Sequence, residues 1–248
     1  MKRTLPLADK RILITRSKEQ ARYFSTQIQA LGGTSLEVPL IQFQRVFESD
    51  LVSTDIEESL PRYEWVVFTS VNGVKYFFEL YDGPMPNRIA AVGTKTKQVL
   101  DSMGYKVELI PDRFSAEGLV DSFTKLPPTS VLLIQGNLAR PLLRDELGRI
   151  GYNVKQIVVY ENKLRVPGDK ELNVLKEGKV DLYTFTSPST VHNYIKLFGL
   201  PTGPVATIGP ITRQAAQKAG VEVTISPEEY TMDGLLEEIV QYFKREDT

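Results

Sequence analysis

The sequence predicts an α/β protein built from two parallel sheets that carry helices on both faces. Three features predict this class: short continuous apolar runs, a helical pattern after each run, and an internal repeat. The runs do not alternate with polar residues, which is typical of strands buried on both faces. These runs cover residues 12–15, 65–68, 89–92, 131–134, 182–185 and 205–208.

A polar or glycine-containing turn and a helical pattern follow each run. After the run 89–92, for example, Val99, Leu100 and Met103 share one face before Gly104 ends the helix. Strand and helix in alternation predict right-handed βαβ units and a parallel sheet. A chain of 248 residues has room for two such sheets of about five strands each.

Two stretches of the chain repeat. The segment VVFTSVNGV, which begins at Val66, matches the segment LYTFTSPSTV, which begins at Leu182. Further along the chain, Gly93 recurs 116 positions later as Gly209. Several further positions match in the same register. The repeat predicts that the chain arose by internal duplication.

A fainter repeat relates the segment from residue 11 to the segment from residue 130. Gly32 falls on Gly151, and Ile41 falls on Tyr160, both 119 positions later. The blocks therefore follow one another as A1, B1, A2 and B2, which predicts two similar halves.

Composition excludes several kinds of site. The chain has no cysteine, so disulfides, thiolate metal sites and cysteine nucleophiles are impossible. His192 is the single histidine, which excludes a histidine-rich metal centre. A formal charge of -1 gives no general attraction to nucleic acid or to a membrane surface. The first residues lack a signal-peptide pattern and the apolar runs are short, so we expect a cytoplasmic protein.

Hydroxyl residues and glycines follow the predicted strands. Ligands of doubly wound sheets lie at the carboxyl ends of the strands, where helix N-termini attract anions. Each residue taken alone is also an ordinary helix cap, because Ser, Thr and Asn are preferred there. Their number favours a ligand with many carboxylates. They are Thr69, Ser70, 93–96, Gly136, Asn137, 186–189 and 209–212.

Other candidates are basic or aromatic. Five basic side chains near these turns could pair with carboxylates, although a solvated helix face explains any single one better; they are Lys95, Lys97, Arg113, Arg140 and Arg213. Tyr160 ends a buried strand and could be a packed aromatic. Because its repeat partner is Ile41, packing of the repeat does not require the phenol. Tyr160 is therefore the better functional candidate, whereas we expect His192 to lie on the surface.

Taken together, the segments resemble the uroporphyrinogen-III synthase family. No segment is specific alone, but the ordered set spans nearly the whole chain. Its members are ILITR (12–16), VVFTSVNGV (66–74), AVGTKT (91–96), QGNLAR (135–140), VVYEN (158–162), FTSPSTV (185–191) and IGPIT (208–212).

The resemblance implies a particular arrangement of the halves. It implies two flavodoxin-like α/β domains joined by a two-stranded antiparallel linker, with the first block of the chain in the same domain as the last. Mapped here, domain one covers 1–38 and 166–248, and domain two covers 46–156. The linker strands are 39–45 and 157–165.

The resemblance also implies a reaction without metal or cofactor, the conversion of hydroxymethylbilane to uroporphyrinogen III with loss of water and reversal of the last pyrrole. Tyr160 matches the functional tyrosine of the family and could donate a hydrogen bond to the departing hydroxyl. We expect a monomer that makes transient contact with hydroxymethylbilane synthase. The expected substrate-binding residues are Thr15, Arg16, Thr69, Ser70, Thr96, Gly136, Asn137, Thr186, Ser187, Ser189 and Thr212.

Two other functions use the same fold. One is a two-lobed module that binds a small anion without chemistry. The other is a nucleotide-dependent enzyme, which the absence of GxGxxG and GxxxxGK[ST] disfavours. Fold alone does not separate these functions.

Overall fold

A computed structural model describes residues 5–85 and 87–246. The strands are β1 (Arg11–Ile14), β2 (Thr34–Glu37), β3 (Ile41–Arg45), β4 (Trp65–Phe68), β5 (Arg88–Ala91), β6 (Val107–Leu109), β7 (Ser130–Gly136), β8 (Asn153–Leu164), β9 (Leu182–Phe185) and β10 (Val205–Thr207). The helices are α1 (Lys18–Ala30), α2 (Ser49–Ser59), α3 (Val71–Leu80), α4 (Thr94–Ser102), α5 (Ala116–Phe123), α6 (Leu142–Arg149), α7 (Asp169–Lys176), α8 (Pro188–Phe198), α9 (Pro210–Lys218) and α10 (Met232–Glu246).

The chain divides into two compact units. Unit 1 comprises the residues up to Gln42 and those from Lys163 onward, and unit 2 comprises Phe43–Asn162. The chain passes between the units within β3 and within β8, which are neighbours in one sheet. Within the described residues, no helix is long and apolar enough to cross a membrane.

Unit 1 contains a parallel sheet in the order β10-β9-β1-β2. An isolated parallel bridge between Ala206 and Ile225 continues the sheet beyond β10. Numbered along this unit, the order is 2-1-3-4-5, the flavodoxin-like arrangement. The fifth strand is reduced to a bridge because the N–H groups of Thr224 and Ile225 both converge on the carbonyl of Val205.

Unit 2 contains the larger sheet, in the order β3-β8-β7-β4-β5-β6. The five strands from β8 to β6 are parallel. Instead of about five strands each, the sheet of unit 1 has four, because its fifth strand is only a bridge, and the sheet of unit 2 has six, because β3 pairs with β8. Matched by the repeat, β8-β7-β4-β5 corresponds to β2-β1-β9-β10, so the same spatial order arises from a permuted chain order. This shared order is consistent with the predicted duplication.

Each sheet is covered on both faces, because neighbouring strand residues point to opposite sides. In unit 1, Ile12 and Ile14 pack with α1 and α10, whereas Leu13 packs with α8 and α9. In unit 2, Val66 packs with α2, α3 and α4, whereas Val67 packs with α5 and α6. The helices that follow the two central strands of each sheet thus lie on opposite faces, which opens a crevice at the carboxyl ends of those strands.

Candidate active site

The crevice of unit 2 lies where β7 and β4 end. It contains a cavity of about 240 Å³. The residues that line it come from the ends of β7 and β4, from the loop after β7, and from β8 and β3, which follow β7 in the sheet. They are Phe43, Thr69, Ser70, Gly136, Asn137, Leu138, Ala139, Tyr160 and Asn162.

Tyr160 lies directly against the backbone of Gly136. The two residues are register partners after a bulge in the pairing of β7 with β8. A Cβ atom at position 136 would lie 2.4 Å from Cζ of the Tyr160 ring. Because such a contact is impossible, this position needs glycine for the ring to reach the crevice.

Aromatic contacts hold the Tyr160 ring while its hydroxyl lies at the cavity. The ring stacks on Tyr76 with centroids 5.6 Å apart and meets Phe43 edge-on at 5.9 Å. Its Oη lies 3.2 Å from Oγ of Ser70. An apolar body packed on rings with a polar tip beside a cavity is an arrangement that suits a hydrogen-bond donor to a ligand.

Ser70 links this phenol to the start of a helix. It is the N-cap of α3, and its Oγ accepts the N–H of Gly73 at 2.9 Å. The backbone of Ser70 is extended, as the N-cap position requires. The hydroxyl proton of Ser70 is not used by this cap, so it can be donated to Tyr160.

Asn137 and Thr69 complete the predicted residues of this crevice. The side-chain oxygen of Asn137 accepts the backbone N–H of Asn162 at 2.8 Å, and the backbone N–H of Asn137 donates to the carbonyl of Tyr160 at 3.1 Å. Asn137 therefore braces β8 beyond the bulge, although we expected its amide to face a ligand. Thr69 is half-buried and lines the cavity.

At the corresponding edge of unit 1, Thr15 and Arg16 differ in their surroundings. Thr15 is fully buried, and its hydroxyl donates to the carbonyl of Thr184 at 2.9 Å. Because the whole residue is 0% exposed, neither its side chain nor its backbone is open to a ligand here, and its contact with substrate stays a prediction. Arg16 is half-buried, contacts the sulfur of Met232 and donates to Oε1 of Gln20. Burial lowers the pKa of its guanidinium.

This edge of unit 1 concentrates unsatisfied polar atoms. Within the described residues, five buried side-chain atoms lack a hydrogen-bond partner, and three of them are Nε of Arg16, Oγ of Ser17 and Oγ1 of Thr207. Arg16 and Ser17 follow β1, and Thr207 ends β10. Buried polar groups normally find partners. The Arg16 and Ser17 atoms follow the same strand, whereas Thr207 lies two strands away in the sheet.

The other predicted hydroxyl residues fall into two groups. Ser187 caps α8, and its Oγ lies 2.9 Å from that of Ser189; both are half-buried, as is Thr186. Thr96 and Thr212 lie in the first turns of α4 and α9 and are each 4% exposed. A ligand would therefore find little of either threonine side chain to contact.

Most of the charged candidates lie on the surface, three of them in exposed ion pairs. Lys97 pairs with Asp101, Arg113 with Asp121, and Arg140 with Glu117; all six are exposed enough for solvent to screen them. Lys95, Arg213 and His192 are exposed as well. Across the part of the chain that the structure describes, no group of three or more His, Asp or Glu residues could hold a metal ion.

Sequence reasoning missed two residues of the site. Phe43 and Tyr76 fix the ring of Tyr160, yet neither carries a motif that points to chemistry. Phe43 stands in the predicted linker strand and Tyr76 on a helix face typical of core packing. Their contact with Tyr160 is non-local, and a single sequence carries no signal for it.

The same architecture occurs in a known family. A family model described as Uroporphyrinogen-III synthase HemD matches residues 23–237 of the chain. The chain belongs to the uroporphyrinogen-III synthase family. The resemblance predicted from the ordered motifs is thus confirmed, and the chain is an enzyme of porphyrin biosynthesis.

Relatives of similar length support the assignment. The uroporphyrinogen-III synthase of Synechococcus elongatus is 30% identical over 261 residues, and the match covers 97% of this chain and 98% of that protein. The uroporphyrinogen-III synthase of Chlorobaculum parvum is 27% identical over 251 residues, which cover 95% of this chain and all of that protein.

Solved structures share the fold. The uroporphyrinogen-III synthetase of Helicobacter pylori is 22% identical, with a TM-score of 0.70 over 94% of this chain and 99% of that one. A mutant uroporphyrinogen-III synthase of Thermus thermophilus is 18% identical, with a TM-score of 0.66 over 95% and 99% of the chains. At these identities the likeness concerns the fold alone, and it confirms the α/β class with parallel sheets.

Proposed function

We propose that this uroporphyrinogen-III synthase family member cyclises hydroxymethylbilane to uroporphyrinogen III, with reversal of ring D and loss of one water. Family membership supports the reaction. The observation that carries the assignment of residues is the Tyr160–Ser70 pair, 3.2 Å between oxygens, beside a cavity at the crevice of unit 2.

The chemistry requires a proton at the start and returns one at the end. The hydroxymethyl group leaves as water and gives an electrophilic azafulvene. The substituted carbon of ring D attacks it to form a spiro intermediate, which fragments and recloses through the other carbon of ring D. That carbon loses a proton on closure, so one water is the net loss. Because the substrate cyclises unaided to the unreversed isomer, the protein chiefly has to hold one conformation of the chain.

Tyr160 is assigned as the donor to the departing hydroxyl. Ser70 accepts from Gly73 and still has a proton to give. When Ser70 donates that proton to Oη of Tyr160, the phenol proton is left for a ligand in the cavity. The start of α3 lies on the other side of Ser70, and its positive end favours negative charge on the phenol oxygen after transfer.

Substrate carboxylates are assigned to the strand ends. Arg16, whose terminal guanidinium nitrogens contact only a sulfur and a neutral amide among the described residues, supplies a binding group for one carboxylate in unit 1. Thr69, Gly136 and Asn137 line the cavity of unit 2. Thr186, Ser187 and Ser189 surround the start of α8, where N–H groups suit an anion.

We further propose that the enzyme is cytoplasmic, works as a monomer without metal or cofactor and takes its substrate from hydroxymethylbilane synthase. The absence of cysteine and the single exposed histidine support a reaction that relies on conformation and hydrogen bonding.

The test generates hydroxymethylbilane in situ, adds purified protein, oxidises the products and separates the isomers by chromatography. We expect the type III isomer to dominate without added metal. Tyr160→Phe should lower kcat on the order of a hundredfold while KM changes little. Tyr81→Phe is the matched control, because it removes a hydroxyl that is bonded to the carbonyl of Pro84 and lies outside the cavity.

Two outcomes would contradict the proposal. If folded wild-type protein yields only the type I isomer at the spontaneous rate, the reaction is not catalysed and a two-lobed binding module becomes the better description. If type III forms but Tyr160→Phe behaves like Tyr81→Phe, the role of Tyr160 is wrong while the reaction stands.

A further inference from the structure

Each unit exposes one aromatic side chain at the carboxyl edge of its sheet. Phe114 is 59% exposed and Tyr230 is 61% exposed. They are separated by the same 116 positions as Gly93 and Gly209, so they occupy equivalent places in the repeat.

The same tight turn presents both aromatic residues. The N–H of Ser115 donates to the carbonyl of Arg113 at 2.7 Å, and the N–H of Thr231 donates to the carbonyl of Glu229 at 2.7 Å. Phe114 and Tyr230 are therefore the central residues of three-residue turns, whose closed backbone points the central side chain outward.

Each turn is held against the first turn of the helix that follows it, α5 in unit 2 and α10 in unit 1. Oγ of Ser115 accepts the N–H of Gly118 at 3.1 Å, and Oγ1 of Thr231 accepts the N–H of Gly234 at 3.0 Å. A Cβ atom at Gly118 would lie 2.0 Å from the turn's own carbonyl oxygen, and one at Gly234 would lie 2.5 Å from it. The turn can pack this closely on the helix only because these positions are glycine.

The rings lie beside the helix starts that follow the neighbouring strands. A Cβ atom at Gly93, the N-cap of α4, would be 3.5 Å from Cβ of Phe114. A Cβ atom at Gly209, the N-cap of α9, would be 3.3 Å from the ring of Tyr230. An exposed ring therefore adjoins free N–H groups in both units, and such groups suit a carboxylate.

Packing does not account for these aromatic residues. More than half of each side chain is open to solvent, so burial gains little from either. The residue before each ring differs in charge, Arg113 in one copy and Glu229 in the other, whereas the aromatic character is the same. A single exposed apolar residue is ordinary; here duplication copied the turn, and both copies have an exposed aromatic ring although the preceding residue changed its charge.

We propose that Phe114 and Tyr230 are stacking platforms, each of which takes the face of a substrate pyrrole ring at the carboxyl edge of the sheet in its own unit. This inference rests on the proposed function and adds residues to it. The flat neutral ring would stack on the platform, and an acidic substituent of that ring would reach the adjacent helix start. Because stacking acts on the bound chain before and during reaction, it lowers KM more than it raises kcat.

The experiment measures kcat and KM for hydroxymethylbilane with Phe114→Leu, Tyr230→Leu and the double variant. We expect KM to rise roughly threefold to tenfold for each single change, with the effects multiplying in the double variant and kcat within about twofold of wild type. Phe114→Tyr and Tyr230→Phe keep an aromatic face and should keep the wild-type KM. Phe47→Leu is the control, because Phe47 is 93% exposed and no repeated turn presents it.

The outcomes separate this inference from the proposed function. Type III formation by wild type, with KM unchanged in the leucine variants or shifted equally by Phe47→Leu, overturns the stacking role alone. A fall in kcat at constant KM overturns it as well. Absence of type III product from folded wild type overturns the proposed function and this inference with it. Thermal unfolding of every variant shows whether the fold is retained.

Discussion

At the residue scale, Arg16 carries its positive charge in a partly buried position that has no carboxylate partner among the described residues. It is half-buried, its Nε has no partner, and its other contacts are to a sulfur and to a neutral amide. Burial without a carboxylate partner disfavours the charged form, as its lowered pKa indicates. Such a group stabilises a fold poorly, which supports the proposed role of Arg16 in binding a substrate carboxylate.

Replacing Arg16 should therefore separate binding from stability. We expect Arg16→Met to raise KM for hydroxymethylbilane by roughly tenfold to a hundredfold, because a charge-assisted hydrogen bond is lost. The free energy of unfolding in urea should stay at the wild-type value or rise, because an unpaired buried cation is removed. Arg149→Met, at an exposed pair with Glu146, should change neither quantity. A variant with lower stability and unchanged KM would make Arg16 a structural residue.

The sequence predicted the chemical groups of the candidate site better than their surroundings. The repeat singled out Tyr160, because its partner position holds Ile41, which is buried in unit 1. It did not indicate the rings of Phe43 and Tyr76 or the bracing role of Asn137, because these depend on contacts between distant parts of the chain. Phe114 and Tyr230 were missed because exposed aromatic residues in loops carry no periodic pattern.

At the element scale, α7 depends on its first turn. None of its side chains is fully buried. Glu171 accepts two hydrogen bonds from the guanidinium of Arg165 at 2.9 Å each and a third from the N–H of Gly168 at 2.9 Å. Arg165 also donates to the carbonyl of Pro39 at 3.0 Å. One carboxylate thus joins the helix start to the chain that enters β3.

This contact gives a defined dependence on pH. The hydrogen bonds from Arg165 hold the pKa of Glu171 below its ordinary value of 4.5. A lowered carboxyl pKa contributes stability above pH 4.5, and that stability is lost as pH falls through the lower pKa of the folded protein. Glu171→Gln should lower the free energy of unfolding by about 1.5 to 3 kcal/mol at pH 7. The difference from wild type should shrink in urea titrations carried out near pH 3.

The matched control is Glu79→Gln in α3. Glu79 lies 3.9 Å from Lys75 in an exposed pair, which should contribute less than about 1 kcal/mol. Equal losses in the two variants at pH 7, or a loss in Glu171→Gln that persists unchanged at low pH, would contradict the role of the Arg165–Glu171 contact.

Most strands and helix starts were predictable because their causes are local. Residues 65–68 form β4 as expected from a continuous apolar run, and Ser70 caps the next helix. Met103 differs from the expectation: it was placed on one helix face with Val99 and Leu100, but Leu100 is buried and Met103 is 45% exposed. The reason is that α4 ends at Ser102, so Met103 leaves the helix before Gly104 turns the chain at a φ of 87°.

At the scale of the whole molecule, the cores of the units are separate. The two apolar clusters of unit 2 draw only on residues between Phe43 and Tyr160. The two clusters of unit 1 draw only on residues before Gln42 or after Lys163. Unit 2 is a continuous stretch of chain, whereas unit 1 is made of two stretches. The permuted strand order thus gives the units different folding requirements, although their sheets are alike.

A fragment that spans residues 43–162 should therefore fold alone. We expect a single cooperative transition in urea, followed by circular dichroism, because both faces of its sheet keep their helices. The fragment 163–248 should show no cooperative transition, because β1 is missing and β1 pairs with both β2 and β9. Adding a peptide of residues 1–42 should restore cooperativity to that fragment. A 43–162 fragment that stays unfolded would mean that the stability of unit 2 depends on the rest of the chain despite its self-contained core.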